Sequence, residues 1–412
     1  MSKHDVIVVG GGASGMMAAG RAGERGRSVL ILEKNKKLGE KLKITGGGRC
    51  NITNAEFDIR VLLKNYGETE QFLYSSFSQF GVKDTISFFA RLGLPIVVQT
   101  RKRAFPESEK AFDVFLTLEK YLKRNNVEVK TGSTVTRVFN ENGKITKIAC
   151  GKNEYTADSY IFATGGISHP ETGSTGDGFA WLKYTGHDVT NPTPTIVPIA
   201  VEDKWVHSLA GVSLSFMKIT FFIDSKKAFS KTGKILFTHF GLSGPLILNS
   251  ASRIGDLLHT GFVTAKIDVF PDTDLGALEK RIIKIFDANK NKMLKNIFNE
   301  ITPEGTGASI MSILADRINM DTKVHSVTKE DRKKIVHMLK ILPITITGLM
   351  GFDRAVVSDG GVDLSEIDMK TMKSKKISNM FVTGDLLHVN RPSGGYSLQL
   401  CWTTGYIAGS NA

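Results

Sequence analysis

Cysteine is scarce in this chain. Cys50, Cys150 and Cys401 are the three in 412 residues, and no two of them form a C-x-x-C pair. That spacing excludes a zinc knuckle and an adjacent redox dithiol. So few, widely separated thiols suit a reducing compartment. No apolar run approaches the roughly 18 residues of a membrane span. The first strand-like run, Asp5 to Val9, begins almost at the N-terminus and leaves no room for a signal peptide, so the expected location is the cytoplasm. Internal repeats and low-complexity segments are absent. His169 and Glu171 have no partner at ligand spacing, so no metal is expected.

What is present is ordinary globular usage: 41% hydrophobic and 23% charged residues. The length suggests two or three domains and a core that needs no disulfide staples. Lys and Arg number 54 against 41 Asp and Glu, a balance of +13 that admits attraction to acidic partners. The basic runs Lys36-Lys37, Arg101-Lys102-Arg103 and Lys373 to Lys376 are short and read as solvated faces. A nucleic-acid partner is therefore disfavoured. Glycine is enriched, at 41 residues, and it is clustered.

The first cluster follows the apolar run Asp5 to Val9, which reads as a buried parallel strand. Gly10, Gly12 and Gly15 complete G-x-G-x-x-G around Ala13 and Ser14, a small-residue helix extends to Arg25, and a second strand, Ser28 to Leu32, ends at Glu33. Gly10 permits the tight turn, Gly12 lets backbone approach a pyrophosphate, and Gly15 lets helix and strand pack closely. The helix N-terminus offers free N–H groups and a positive dipole end. Glu33 can accept from both ribose hydroxyls and would repel a 2′-phosphate. With both strands, the helix and the acid in place, the signature of a dinucleotide site is specific.

A second cluster, Gly46-Gly47-Gly48-Arg49-Cys50-Asn51, fits neither regular helix nor strand. It suits backbone wrapped against a flat or anionic ligand, with Arg49 able to neutralise a phosphate. The stretch from Gly39 to Asn54 resembles the HI0933-like family of bacterial flavoproteins (the BaiN/RdsA type). Further ordered matches are Arg103-Ala104-Phe105-Pro106, Ala163-Thr164-Gly165-Gly166, Thr172 to Gly178, Leu236 to Pro245, Gly360-Gly361-Val362 and Gly394-Gly395-Tyr396. The resemblance implies an FAD cofactor. Besides the residues above, it implies contacts from Lys34, Lys41, Val135, Ala163, Thr164, Gly165, Gly384, Asp385, Gly394, Gly395, Tyr396 and Ser397. The chain departs from the family where Leu387-His388-Val389-Asn390-Arg391 replaces a loop that often carries acidic residues.

Helices are expected at about Phe72–Leu92 and Phe112–Asn125. Strands dominate from Ile196 to about Asp272, and helices follow at Leu275 to Ile301, Ser309 to Ile318 and Lys329 to Leu342. Thr328 and Asp331 make a capping box for the last. The expected fold is α/β: a Rossmann-like FAD-binding domain (1–193 and 343–412) with a β-rich, barrel-like insert (194–274) and a helical insert (275–342).

A second G-x-G-x-x-G is absent from the middle of the chain, which argues against the large disulfide reductases. The expected function is an FAD-dependent oxidoreductase acting on a small molecule by hydride transfer at flavin N5, as a reductase or an amine oxidase. NADH or NADPH is admitted as a transient donor. The alternatives are a flavoprotein acting on RNA and a non-catalytic FAD module. His239 and Tyr396 are the candidate catalytic residues, with His388 and Arg391 weaker. Cys50 reads as a packing residue, since nothing marks it as a resolving thiol. The sequence does not indicate an oligomeric state.

Overall fold

The computed structural model describes residues 4–412. Its central sheet is assembled from the apolar, β-branched runs. His4–Val9 pairs in parallel with Val29–Leu32 on one side and with Ala157–Phe162 on the other. Glu128–Lys130 extends the first flank. Met380–Val382 extends the second in parallel, followed by the short antiparallel strands Lys373–Ser374 and Ile367–Asp368. The strand order therefore reverses at His4–Val9, and the crevice beyond its carboxyl end lies at a topological switch point. Gly10 and Ala163 both emerge there.

Two helices lie against one another beside this sheet. Ala13–Glu24 follows the first strand, and Tyr396–Asn411 closes the chain. Glycines set their separation. A Cβ on Gly405 would meet the Ser14 carbonyl oxygen at 2.5 Å, and one on Gly409 would meet that of Ala18 at 2.2 Å. The region read as one helix, Phe72–Leu92, is two: Glu70–Gln79 and Val82–Arg91. Phe80 turns to extended backbone between them and stacks its ring on Tyr406 at 4.1 Å. Asp84 then accepts from the Gly81 N–H at 2.8 Å and starts the second helix.

The described residues divide into two compact units, 4–194 with 355–412 and 195–354. The second is a closed antiparallel barrel carrying helices. Its strands run in the order Ile199–Val201, Gly241–Ser243, Lys226–Thr238, Ser213–Ile223, Val263–Asp268 and Leu342–Leu349. Barrel residues such as Ile219, Phe221 and Phe237 share one core with Leu278, Ile282, Phe298 and Ile335 of the helices. Leu342–Leu349 belongs to this unit, whereas the sequence reading returned the chain to the nucleotide domain at 343. Its alternating buried positions close the barrel against Ile199–Val201. Helices Pro245–Leu248 and Ala251–Thr260 interrupt the block read as strands, after Gly244 takes a left-handed turn at φ +93°. The stretch Leu275 to Ile301 breaks near Asn289, whose amide donates to Ile285 O at 3.0 Å and to Glu300 at 3.1 Å. Of the Thr328–Asp331 capping box the N-cap half is formed: Asp331 N donates to Thr328 Oγ1 at 3.0 Å, while the Asp331 carboxylate accepts from the Thr328 hydroxyl at 2.9 Å rather than from its backbone N–H. Among the described residues no helix is long and apolar enough to cross a membrane.

Gly15 is where strand and helix approach most closely. A Cβ there would meet Gly10 O at 1.9 Å, a contact with backbone that a rotamer change cannot relieve. Gly15→Ala is expected to lower unfolding stability by about 2–3 kcal/mol, as overpacking against backbone does. Denaturant unfolding of the flavin-free protein checks this, and an unchanged midpoint would contradict the packing described.

Candidate cofactor and substrate site

The Gly10–Gly15 turn presents a built anion cradle. Gly10 takes φ +101° and its N–H donates to Leu32 O at 2.9 Å. Gly12 is the N-cap of the following helix, and no side chain caps that end. A Cβ on Gly12 would meet no protein atom within 4 Å, so it faces open space. The first turn, Ala13 to Gly15, contains no acidic residue, and its dipole end is uncompensated. Glu33, 7% exposed, accepts from Gly11 N at 2.7 Å and from Asn35 N at 2.8 Å. Those two donors fix the carboxylate and leave each oxygen a further lone pair for a hydroxyl. Lys34 is held by Asp177 at 2.7 Å and by Thr175. Val135 is buried in the segment where Ser133 N donates back to Glu33 O at 2.8 Å.

The second glycine cluster is left-handed throughout, with φ of 59°, 68° and 83° at Gly46, Gly47 and Gly48. Cys50 also takes positive φ, 58°, and is fully buried. Burial pushes its thiol up to about 12, which makes it inert packing. Asn51 Oδ1 is buried without a hydrogen-bond partner, as is Thr164 Oγ1 in the Ala163-Thr164-Gly165 turn. Orphaned polar atoms of this kind mark positions that a polar ligand can satisfy. Lys41 Nζ donates to Ser168 Oγ at 2.6 Å; its burial lowers its pKa, opposed by the charge of Asp385.

The Gly384-Asp385 turn reaches the same crevice. Thr383 Oγ1 donates to Ser14 Oγ at 3.2 Å, and Gly384 N donates to Thr404 Oγ1 at 3.0 Å. Asp385 is clamped by Arg391, whose side chain is 1% exposed. That guanidinium also donates to Val389 O at 2.5 Å and to Ser397 Oγ at 3.1 Å. Arg391 is thus an internal tie between the Gly-Asp turn and the last helix. Gly394 and Gly395 take φ of 121° and 104°, and Gly395 caps Tyr396–Asn411 without a side-chain bond. A Cβ on Gly395 would meet Thr53 C at 2.3 Å, so the helix start lies against the backbone that follows the second glycine cluster. Gln399, fully buried, accepts from Thr53 Oγ1 at 2.6 Å and secures that contact. Tyr396 O accepts from Tyr66 OH at 2.9 Å, and burial raises the Tyr396 phenol.

The first unit therefore brings Gly10–Gly15, Ala163–Gly165 and Gly384-Asp385 together at the start of the first helix, and Arg391 ties Asp385 to Ser397 of the Gly394–Ser397 turn. His239 belongs to the chain's second unit, exposed at the turn between two barrel strands, its ring edge-on to Phe240 at 4.9 Å. His388 pairs with Asp359 at 3.7 Å, and His169 with Glu171 at 2.8 Å. Sequence reasoning does not find Thr383, Ser168 or Gln399, whose partners lie more than 100 residues away, nor Thr404, which no local motif marks.

These residues fit FAD. The open face of Gly12 and the uncapped helix end suit the diphosphate. Glu33 suits the adenosine ribose, Asp385 the ribityl side, and the N-terminus of Tyr396–Asn411 the negative charge of a reduced ring. Fold and site define the class: the protein is an FAD-dependent oxidoreductase. It belongs to the HI0933-like family, whose Rossmann-domain model matches residues 4–411. It is 29% identical over 411 residues to the 3-dehydro-bile acid delta(4,6)-reductase of Clostridium scindens, covering 98% of each chain. It is 27% identical over 406 residues to the ribosomal RNA dihydrouridine synthase of Haemophilus influenzae, covering 97% of this chain and 96% of that one. Among solved structures, the open conformation of a flavocytochrome c3 fumarate reductase shares the fold. The TM-score is 0.54 at 15% identity, over all of this chain and 78% of that one.

Two outcomes check this geometry. Gly12→Val should lower the stability of flavin-free protein by no more than about 1 kcal/mol, the scale of a poorer N-cap, since the side chain meets nothing, while weakening FAD binding at least roughly tenfold by filling the space for the diphosphate. An FAD titration followed by fluorescence reads it, and unaltered affinity would contradict the placement. Cys50 should resist alkylation by iodoacetamide at pH 8 in the native protein and react once the protein is unfolded. Peptide mass mapping reads that difference, and rapid native labelling would contradict a buried, protonated thiol.

Proposed function

We propose that the protein is a cytoplasmic reductase that saturates a carbon–carbon double bond conjugated to a carbonyl group in a small molecule, with electrons from NADH or NADPH. The observation that carries the reading is a shared chemistry in the names of two full-length relatives. A 3-oxo bile acid with Δ4,6 unsaturation and a uracil ring that becomes dihydrouracil both present such a bond. Bound FAD would supply the two-electron chemistry between donor and acceptor.

The chain's own residues would do the rest. The N–H groups at the start of Tyr396–Asn411, opened by Gly394 and Gly395, hold negative charge where it develops. Tyr396, whose phenol pKa burial raises above its ordinary value, is the candidate that gives the second carbon its proton. His239 is the alternative donor. A second reading places the conjugated bond in a uracil base of RNA; the net charge of +13 and the second relative favour it.

An anaerobic absorbance experiment on the FAD-loaded protein tests both. Bleaching by NADH or NADPH, followed by recovery of the oxidised spectrum with a cyclohexenone, is the expected result. Recovery only with an RNA transcript free of dihydrouridine, by binding that weakens steeply with salt, would replace the first reading by the second. No bleaching by either nicotinamide would overturn the reductase assignment and point to an amine oxidase.

A further inference from the structure

The hairpin Ile96–Pro106 carries arginines that the FAD site does not use. Its strands Ile96–Gln99 and Arg103–Pro106 form a three-stranded sheet with Thr53–Asn54, in which Arg103 lies opposite Asn54 on one side and Gln99 on the other. At the tip, Arg101 and Lys102 take φ of 60° and 56°. Two successive left-handed residues with side chains are unfavourable and persist only where neighbours hold them. Asn54 supplies one restraint. Its buried amide donates to Arg101 O at 3.4 Å and to Gly394 O at 3.3 Å, tethering the tip to the turn that opens the last helix.

The charges at this tip are unevenly compensated. Lys102 turns onto Glu56. Arg49 lies 4.4 Å over the Phe105 ring and reaches Glu109 at 3.2 Å. Among the described residues Arg101 and Arg103 form no ion pair. Arg103 is half-buried on its strand, and its guanidinium is held below its ordinary value, first by burial and then by the charges of Arg101 and Arg49. The fold thus keeps like charges together beside Gly394, one of them partly withdrawn from water. Such an arrangement is stabilised by an anion, and planar guanidinium groups match the two oxygens of a carboxylate or phosphate.

We propose that Arg101 and Arg103, with Arg49 beside them, bind an oxyanion group carried by the substrate, a carboxylate or a phosphate, and so determine which conjugated carbonyl compounds the enzyme accepts. The proposal rests on the reductase reading and on Gly394-Gly395 being the flavin-side turn. It also accounts for a basic run at a position where a solvated face needs no strained backbone.

The test is calorimetric binding to the full, FAD-loaded chain at low salt. The probes are inorganic phosphate and two matched pairs: a cyclohexenone carboxylate with its methyl ester, and uridine 5′-monophosphate with uridine. Wild type should bind at least one anion roughly tenfold more tightly than its neutral partner, the scale of a charge-assisted contact. The pair that shows the preference identifies carboxylate or phosphate as the natural group. Arg101→Ala and Arg103→Gln should each abolish the preference, with neutral-partner binding, FAD content and melting unchanged. If Arg103→Gln fails to fold, Arg101→Ala, at the exposed tip, decides alone. Equal binding of anion and neutral partner, a preference that survives both variants, or no binding of any of the three anions would overturn the proposal. Anion preference without turnover of any conjugated compound would overturn the reductase reading and leave the arginine site standing. Turnover without preference would do the reverse.

Discussion

The structure of the first unit depends on how closely backbone can approach the helix Ala13–Glu24 from two sides. On one side Gly15 brings it against Gly10 just beyond the central strand; on the other, Gly405 and Gly409 let the last helix lie on the backbone of Ser14 and Ala18. In each place a single methyl group would meet a carbonyl oxygen. This double approach sets the distance between the diphosphate cradle at Gly12 and the Gly384-Asp385 turn, which touches Ser14 through Thr383. The N-terminus of Tyr396–Asn411 is set by the same packing. A dinucleotide reaching from Glu33 to Gly395 would need these parts in register, and the glycines would supply it.

The cradle is left electrically and sterically incomplete. Its helix end lacks a cap and an acidic first turn, its central glycine faces open space, and two buried polar atoms, on Asn51 and Thr164, have no partner. Folded proteins satisfy nearly all such groups. The deficits at Gly12, Asn51 and Thr164 lie in one unit and offer free donors, room for an anion and polar atoms that a ligand can satisfy. Arg391, by contrast, is fully employed: its three bonds join Asp385, Val389 and Ser397, so its charge serves the scaffold. Arg101 and Arg103 at the hairpin form no ion pair among the described residues, and that contrast separates the arginine that builds the site from those proposed to meet a substrate.

Local signals were legible in the sequence. Strand, glycine turn, helix and acid follow one another within 30 residues of chain, and each is dictated by nearest neighbours, so Gly10, Gly12, Gly15 and Glu33 could be read directly. The Thr328 N-cap is legible for the same reason. Pairings across long sequence distance were not. Nothing near Leu342 marks its strand as the partner of Ile199–Val201, so the sequence alone places the return to the nucleotide unit at 343, ahead of the boundary at 355. Phe80 looks like one more apolar residue in a helix until Tyr406 appears beneath it. Arg101-Lys102-Arg103 reads as a solvated run because the Asn54 tether and the neighbouring Arg49 come from a segment some fifty residues earlier.

The most direct test of this account is a crystal structure of the FAD-loaded protein. The account predicts the diphosphate at the N-terminus of Ala13–Glu24, in hydrogen-bond range of the first free N–H groups. It also predicts the adenosine ribose on Glu33 and the flavin ring between the Gly46–Gly48 loop and the Gly394-Gly395 turn. A diphosphate bound away from that helix end, or a ribose with no contact to Glu33, would contradict it.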